Sequence, residues 1–275
     1  MTPRWERLLQ SPLFAPLHPF ILKLDAHGFP TLEELNSFLA SRRPPIRVHS
    51  GCGLSFVEQQ RGRLAFEEQY EPRCYLVGEV QTRRDNWHDL FNALVWLAFP
   101  KSKAAINFRH YRALTDKKPA EPSGSERGVV RDTNTLLDES GVIIACADEE
   151  LAGFLTGFRW IELFWQRRAS VQNHMGFYLF GHGLYEKALQ PYVGMTGQGL
   201  LFIVEPEFFG LPYEAQLARL DARLADYLSA PENCLSTSEL SPVPLLGVPG
   251  WTADNECTAY YENTAYFRAG RRCGR

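Results

Sequence analysis

The sequence predicts an α+β fold: a single domain in which a helical core packs against a small antiparallel sheet and hairpins. Three observations carry this expectation. Residues 87–99 and 213–228 are apolar at helical spacing, the second with Leu217, Leu220, Leu224 and Leu228 on one face. Short runs of β-forming residues, such as 46–49, 54–57 and 199–204, are set off by glycine-rich turns. The chain has 275 residues, of which 45% are hydrophobic and 22% charged, enough for one large core with small appendages.

Taken in order, residues 1–24 carry Pro12, Pro16 and Pro19 among apolar side chains and are expected to wrap the core as an N-terminal arm. Thr31 with Glu34 three residues on is a capping box that opens a helix through Leu39. Residues 46–49 and 54–57 read as short strands, with 63–66 as a third, and 75–77 as a strand or a helical turn. Residues 87–99 form a helix capped by Asp85 and stopped by Pro100. A second helix over 102–113 completes a bent helical hairpin. Residues 115–128, rich in Lys, Pro and Gly, read as an exposed loop. Residues 135–146 read as strand, turn, strand around Glu139-Ser140-Gly141. Helices follow over 148–168 and 179–189, then the strand 199–204 and the amphipathic helix 213–228. Residues 241–275 form a tail whose Tyr260, Tyr261, Tyr266 and Phe267 pack back on the core.

Composition removes several function classes. The formal net charge of −3 gives no global attraction to nucleic acid or to a membrane. Arg268, Arg271 and Arg272 in the tail are too few for a base-stacking surface. No apolar window approaches the ~18 residues of a membrane span, and the first residues lack a signal peptide's apolar stretch, so a cytoplasmic location is expected. Six cysteines, none in a CxxC pair, fit neither a zinc finger nor a disulfide framework. There is no Gly-x-Ser-x-Gly elbow, Walker loop or dinucleotide fingerprint. The glycine-rich run 194–199 precedes a strand and is read as a turn.

Chemistry concentrates around one helix. His88 and Asn92 lie four residues apart in an apolar segment, so they share a face and must be hydrogen-bonded or bound to a ligand. With His110, His182 and Glu186, His88 makes a candidate set of ligands for a divalent metal such as Zn, Fe or Mn, since His182 and Glu186 also share one helix face. Asn92 and Asn107 are candidates to hold water or substrate, and Asp138 or Glu139 to act as a base. As neighbours on a strand, Asp138 and Glu139 would point to opposite faces, so only one would serve. Arg83, Arg84, Lys103 and Arg131 surround the helical hairpin and suit a small anionic molecule. Trp251, fixed by Pro249-Gly250, is a candidate pocket wall. Each group has a plainer alternative: histidines that link core helices, a solvated charged rim, turn chemistry at Asp138, and a core indole.

Five blocks then occur in one order. They are Trp87-His88-Asp89-Leu90-Phe91-Asn92-Ala93-Leu94-Val95-Trp96; Phe99-Pro100 with Lys103 and Asn107; Arg131-Asp132 with 136–139; Gly181-His182 with Glu186-Lys187; and Pro249-Gly250-Trp251. Together, from about residue 10 onward, they resemble the proteobacterial domain-of-unknown-function family 3025. The resemblance implies a bacterial, soluble, single-domain protein and no particular chemistry. The residues themselves point to a metal-dependent hydrolase or oxygenase. In it the ion activates water or oxygen, Glu186 or Asp138 takes a proton, and Arg83 or Arg131 orients an anionic substrate. The alternative is a non-catalytic binding protein for an anionic metabolite or a protein partner.

Overall fold

Proline spacing shapes the start of the chain. In the computed structural model, which describes residues 4–25, 28–60, 62–115 and 126–270, the arm is broken into α1 (Trp5–Gln10), a 3-10 turn (Pro12–Leu17) and α2 (His18–Ile21). A proline lacks the N–H a longer helix would need, so the pieces stay short. Their apolar faces are buried, and Phe14 lies against Phe91 and Tyr185, so the arm forms part of the core.

The helix α3 (Leu32–Ser41) opens at Thr31 with the expected capping box to Glu34. Strand β1 (Ser55–Glu58) pairs in parallel with β2 (Glu79–Thr82), and α4 (Tyr70–Val77) crosses between them. Gly78 ends α4 at φ +78, where a Cβ would lie 2.1 Å from the Gly53 carbonyl oxygen, so only glycine fits. Two expectations need correction here. The strand expected at 54–57 stands as β1, but 46–49 contributes only one isolated bridge, Arg47 to Gly53. Residues 63–66 do not form a third strand, because the Ala65 N–H donates to the Glu68 carboxylate and closes a local turn. Of the two forms left open for residues 75–77, the helical one is found, as the end of α4.

The hairpin that positions the site is α5 (Trp87–Ala98) followed by α6 (Pro100–Thr115). Its cap is Asn86, whose side chain accepts the Asp89 N–H, and not Asp85, which sits at φ 52 in the left-handed region. α5 ends at Ala98, just before Pro100 as expected, and Pro100 also opens α6, since a first helical turn has no use for that N–H. The Asp221 carboxylate caps α6 from outside by accepting the N–H groups of Lys101 (3.1 Å) and Ser102 (2.8 Å).

The largest correction falls on 135–146. Instead of a β-hairpin, α7 (Glu126–Ser140) runs directly into strand β3 (Gly141–Cys146). Thr133 and Asn134 bond back to the carbonyls of Val129 and Val130, as helical side chains do. The strand needs no hairpin partner because both its edges are taken by distant segments. The loop expected at 115–128 lies for the most part outside the described residues, as do Arg271, Arg272 and Cys273. The expected helix over 148–168 is three pieces: α8 (Glu149–Thr156), a π-helical turn (Ile161–Gln166) and the beginning of α9 (Arg168–His174). Strand β4 (Met175–Leu179), helix α10 (His182–Ala188), strand β5 (Thr196–Ile203), helix α11 (Tyr213–Ser229) and strand β6 (Ser241–Pro244) complete the chain.

The main sheet has the order β4-β3-β5-β6, antiparallel at both outer pairs and parallel between β3 and β5. All six residues of β3 are buried, as an unbroken apolar run in a central strand requires. The α+β class with a dominant helical core therefore stands, with a mixed sheet at its centre. No described helix is long and apolar enough to cross a membrane.

Candidate metal centre

Three helices meet at one point. His88 lies in the first turn of α5, Glu139 in the last turn of α7, and His182 opens α10. The close approach of the end of α7 to the start of α10 needs glycine at 181, where a Cβ would lie 2.4 Å from the Ser140 backbone nitrogen. The Nε2 atoms of His88 and His182 are 3.1 Å apart. Glu139 Oε1 stands 3.5 Å from His182 Nε2 and 3.8 Å from His88 Nε2. For bonds of about 2.0–2.2 Å, tetrahedral coordination places ligand atoms about 3.3–3.6 Å from one another. The triangle thus has the size of one face of a metal's coordination shell, and these three residues are the group that could hold an ion among the described residues.

The outer nitrogens of both rings are turned onto carboxylates. His88 Nδ1 is 3.1 Å from Glu186 Oε2. His182 Nδ1 is buried, without a hydrogen bond, 3.7 Å from Asp138 Oδ2. Asp138 is itself gripped by Lys103 Nζ at 2.5 Å. Burial pushes the Asp138 carboxyl up, but Lys103 and then His182 outweigh it and hold Asp138 ionised below the usual range. The hydrogen bond to His182, aided by the two imidazoles' charge and opposed by burial, holds Glu139 below the usual range as well. His182 is enclosed, at 7% side-chain exposure, whereas His88 and Glu139 keep 33% and 40%. His88 is therefore less buried than its apolar helix implied.

The triangle opens into a cavity of about 380 Å³. Arg83 lines it, forked onto Asp89 with Nε to Oδ2 and Nη2 to Oδ1 both at 2.8 Å. Arg131 enters from α7, and Asn92 and His110 complete the wall. Asn92 donates to the Tyr70 hydroxyl at 2.6 Å. The lining also includes Glu71, whose carboxyl burial pushes up against the opposing pull of His110 and of the Asn107 amide.

Eight of the residues singled out from sequence thus share one cavity: Arg83, His88, Asn92, His110, Arg131, Asp138, Glu139 and His182. Asp138 and Glu139 both reach it because they lie on a helix, about 100° apart, and not on the alternating faces of a strand. The others stand elsewhere. Glu186 backs His88 from outside the triangle. Lys103 and Asn107 sit one layer behind, on Asp138 and Glu71 respectively. Arg84 turns away to Glu58 at 3.5 Å, and Trp251 packs edge-on against Phe177. Sequence reading missed Tyr70, Glu71, Gln81 and Thr135 in the lining, whereas Asp89, an acid inside the apolar run beside His88, was legible as a carboxylate near the histidines. Tyr70 and Glu71 had no signal, because they lie before Pro72 in a polar stretch.

A family model described as "Protein of unknown function (DUF3025)" matches residues 54–271, from β1 into the tail. No curated protein matches the chain, and neither does any solved structure.

Proposed function

The chain belongs to the DUF3025 family, and we propose that it is a metal-dependent enzyme whose His88, His182 and Glu139 hold one divalent ion at the end of the 380 Å³ cavity. The observation that carries this is the orientation of the two imidazoles. His88 has Nδ1 within hydrogen-bond distance of Glu186, and His182 holds its buried, unbonded Nδ1 3.7 Å from Asp138. With a proton on each outer nitrogen, and the proton at the Nε2 edge displaced by an ion, each ring offers a lone pair at Nε2. Two lone pairs and an ionised carboxylate then face one another across 3.1–3.8 Å, an arrangement that a cation resolves.

Three protein ligands facing a cavity leave a coordination position for water, the mark of a catalytic site. Two histidines and a carboxylate suit Zn, where the bound water is acidified to a pKa of about 7 and attacks an electrophile, or Fe(II), where the open positions take oxygen. Hydrolysis is the first reading, with His110 across the cavity as proton carrier and Arg131 orienting a small anionic substrate. Free thiols at Cys52, Cys74, Cys146, Cys234 and Cys257 support a reducing, cytoplasmic setting.

Elemental analysis of the purified full chain tests the proposal. We expect near one equivalent of Zn, Fe or Mn, with the identity deciding between hydrolytic and oxidative substrates. His182→Ala should leave the metal far below one equivalent, since it removes one of only three ligands. A chain without metal after incubation with all three ions would overturn the proposal. It would leave a shared proton between the two histidines and a non-catalytic pocket for an anion at Arg131.

A further inference from the structure

A second cavity, of about 520 Å³, is built from the arm, the segment after α3 and the facing ends of α6 and α11, and it shares no lining residue with the first. Its charge is one-sided. Lys23, Arg42, Arg43, Arg47 and Lys101 line it, against Glu214 and Asp221. The Asp221 carboxylate is committed to the backbone N–H groups that begin α6. The three arginines donate to carbonyl oxygens instead of carboxylates: Arg42 to Leu97, Arg43 to Ala40 and Arg42, and Arg47 to Gly51. None of the five cations makes an ion pair among the described residues.

Five cations stand against two carboxylates around one concavity, in a chain whose formal charge is −3, so an anion entering it gains their combined attraction. Arg42 is moreover fixed, half-buried with its guanidinium 5.3 Å from the centre of the Phe20 ring and bonded to Leu97. Such a placed fork retains donors for a ligand and loses little freedom on binding one. The remaining wall is apolar, with Phe20, Ile46 and Leu217 facing the same space. The volume falls within the ~300–1,000 Å³ of small-molecule sites.

We propose that this cavity binds an organic di- or triphosphate, its phosphates held by the arginine and lysine side chains and its organic body set against Phe20, Ile46 and Leu217. The number of cations selects several negative charges over a single carboxylate, and arginine forks match phosphate oxygens in pairs. The concave shape and the acidic balance of the whole chain favour a small ligand over a nucleic-acid strand.

Calorimetric titration of the full chain, kept in EDTA so that metal at the first cavity plays no part, tests this with ATP and separately with inorganic pyrophosphate. We expect one saturable site for ATP in the micromolar range, weakened about tenfold or more by Arg43→Gln with Arg47→Gln. Both side chains are exposed, so the double variant should fold, as its circular dichroism will report. Pyrophosphate should bind more weakly than ATP, and His182→Ala should change neither affinity. No saturable heat with either ligand up to about 1 mM would overturn the proposal, as would binding that survives the double variant or disappears with His182→Ala. Equal affinities for the two ligands would overturn the role given to the apolar wall.

Discussion

The two cavities settle their charges in opposite ways. Around the His88–His182–Glu139 triangle cations stand against carboxylates, Arg83 on Asp89 and Lys103 on Asp138, and the second carboxylate oxygens or neighbours reach the imidazoles. Around the second cavity the arginines stand on backbone carbonyls, and among the described residues no carboxylate forms an ion pair with them, although Glu214 and Asp221 line the same space. Paired charges orient one another and hold a site rigid in the absence of ligand, at the cost of desolvating both partners. Unpaired charges leave their Coulomb energy to be gained on binding. The first arrangement suits placing atoms for chemistry, and the second suits capturing an anion.

The sharpest way to break the comparison is Lys103→Met. It strips the counter-ion from Asp138, whose side chain is 15% exposed, and the uncompensated carboxylate should cost about 3–5 kcal/mol, measured by urea denaturation. A loss under about 1 kcal/mol would mean that the pair does not organise the first cavity. Next in size is Glu186→Ala, which removes the acceptor behind His88 and should weaken metal binding about tenfold in a competition titration with a chelator. The half-exposed position of Glu186, at 49%, places the effect at the lower end for such outer partners. Unchanged affinity would show that Glu186 does not orient the ring.

Glu71→Gln probes the one carboxyl of the first cavity that burial dominates. Its folded pKa is raised, so its contribution to stability is present below the unfolded value of about 4.5 and is lost as the pH rises through the folded value. The Gln variant keeps the oxygen that accepts from Asn107 and cannot ionise. It should be more stable than the parent by about 1 kcal/mol at pH 8 and no more stable at pH 4, read as melting temperature against pH. A constant difference across that range would refute the assignment. The smallest effect belongs to Arg84→Ala, because its 3.5 Å contact with Glu58 joins two largely exposed side chains. The change should stay within about 0.5 kcal/mol and leave metal content untouched, as a residue that faces away from both cavities requires.

Periodicity made the helices legible. The apolar body of 87–98 can be satisfied only by burial all round and the leucines of α11 by burial on one face, so their elements follow from local sequence. The capping box at Thr31 was equally readable, since both of its bonds close within three residues. The segment 135–146 was not. Asp138-Glu139-Ser140-Gly141 has the composition of a turn, and what makes it the end of a helix is that β4 and β5, from residues 175–179 and 196–203, already occupy the edges of β3. The cap at Asn86 over Asp85 and the loss of a strand at 63–66 were likewise decided by single local bonds that composition leaves open.

The site divides in the same manner. The sequence by itself determined which residues are costly to bury, and so it marked His88, Asn92, His182 and the carboxylates beside them before any fold was known. It also determined that His182 and Glu186 share a helix face, because four residues nearly complete a turn. Only the tertiary structure decided that Glu139, and not Glu186, closes the triangle with the two histidines, and that Asp138 and Lys103 stand behind it. It alone assembled the second cavity from residues 19–47, 98–101 and 214–221, segments with no common period or motif. The reason is one of range: burial preference and helical phase act within a few residues along the chain, whereas a coordination edge of 3.1–3.8 Å is set by how α5, α7 and α10 dock.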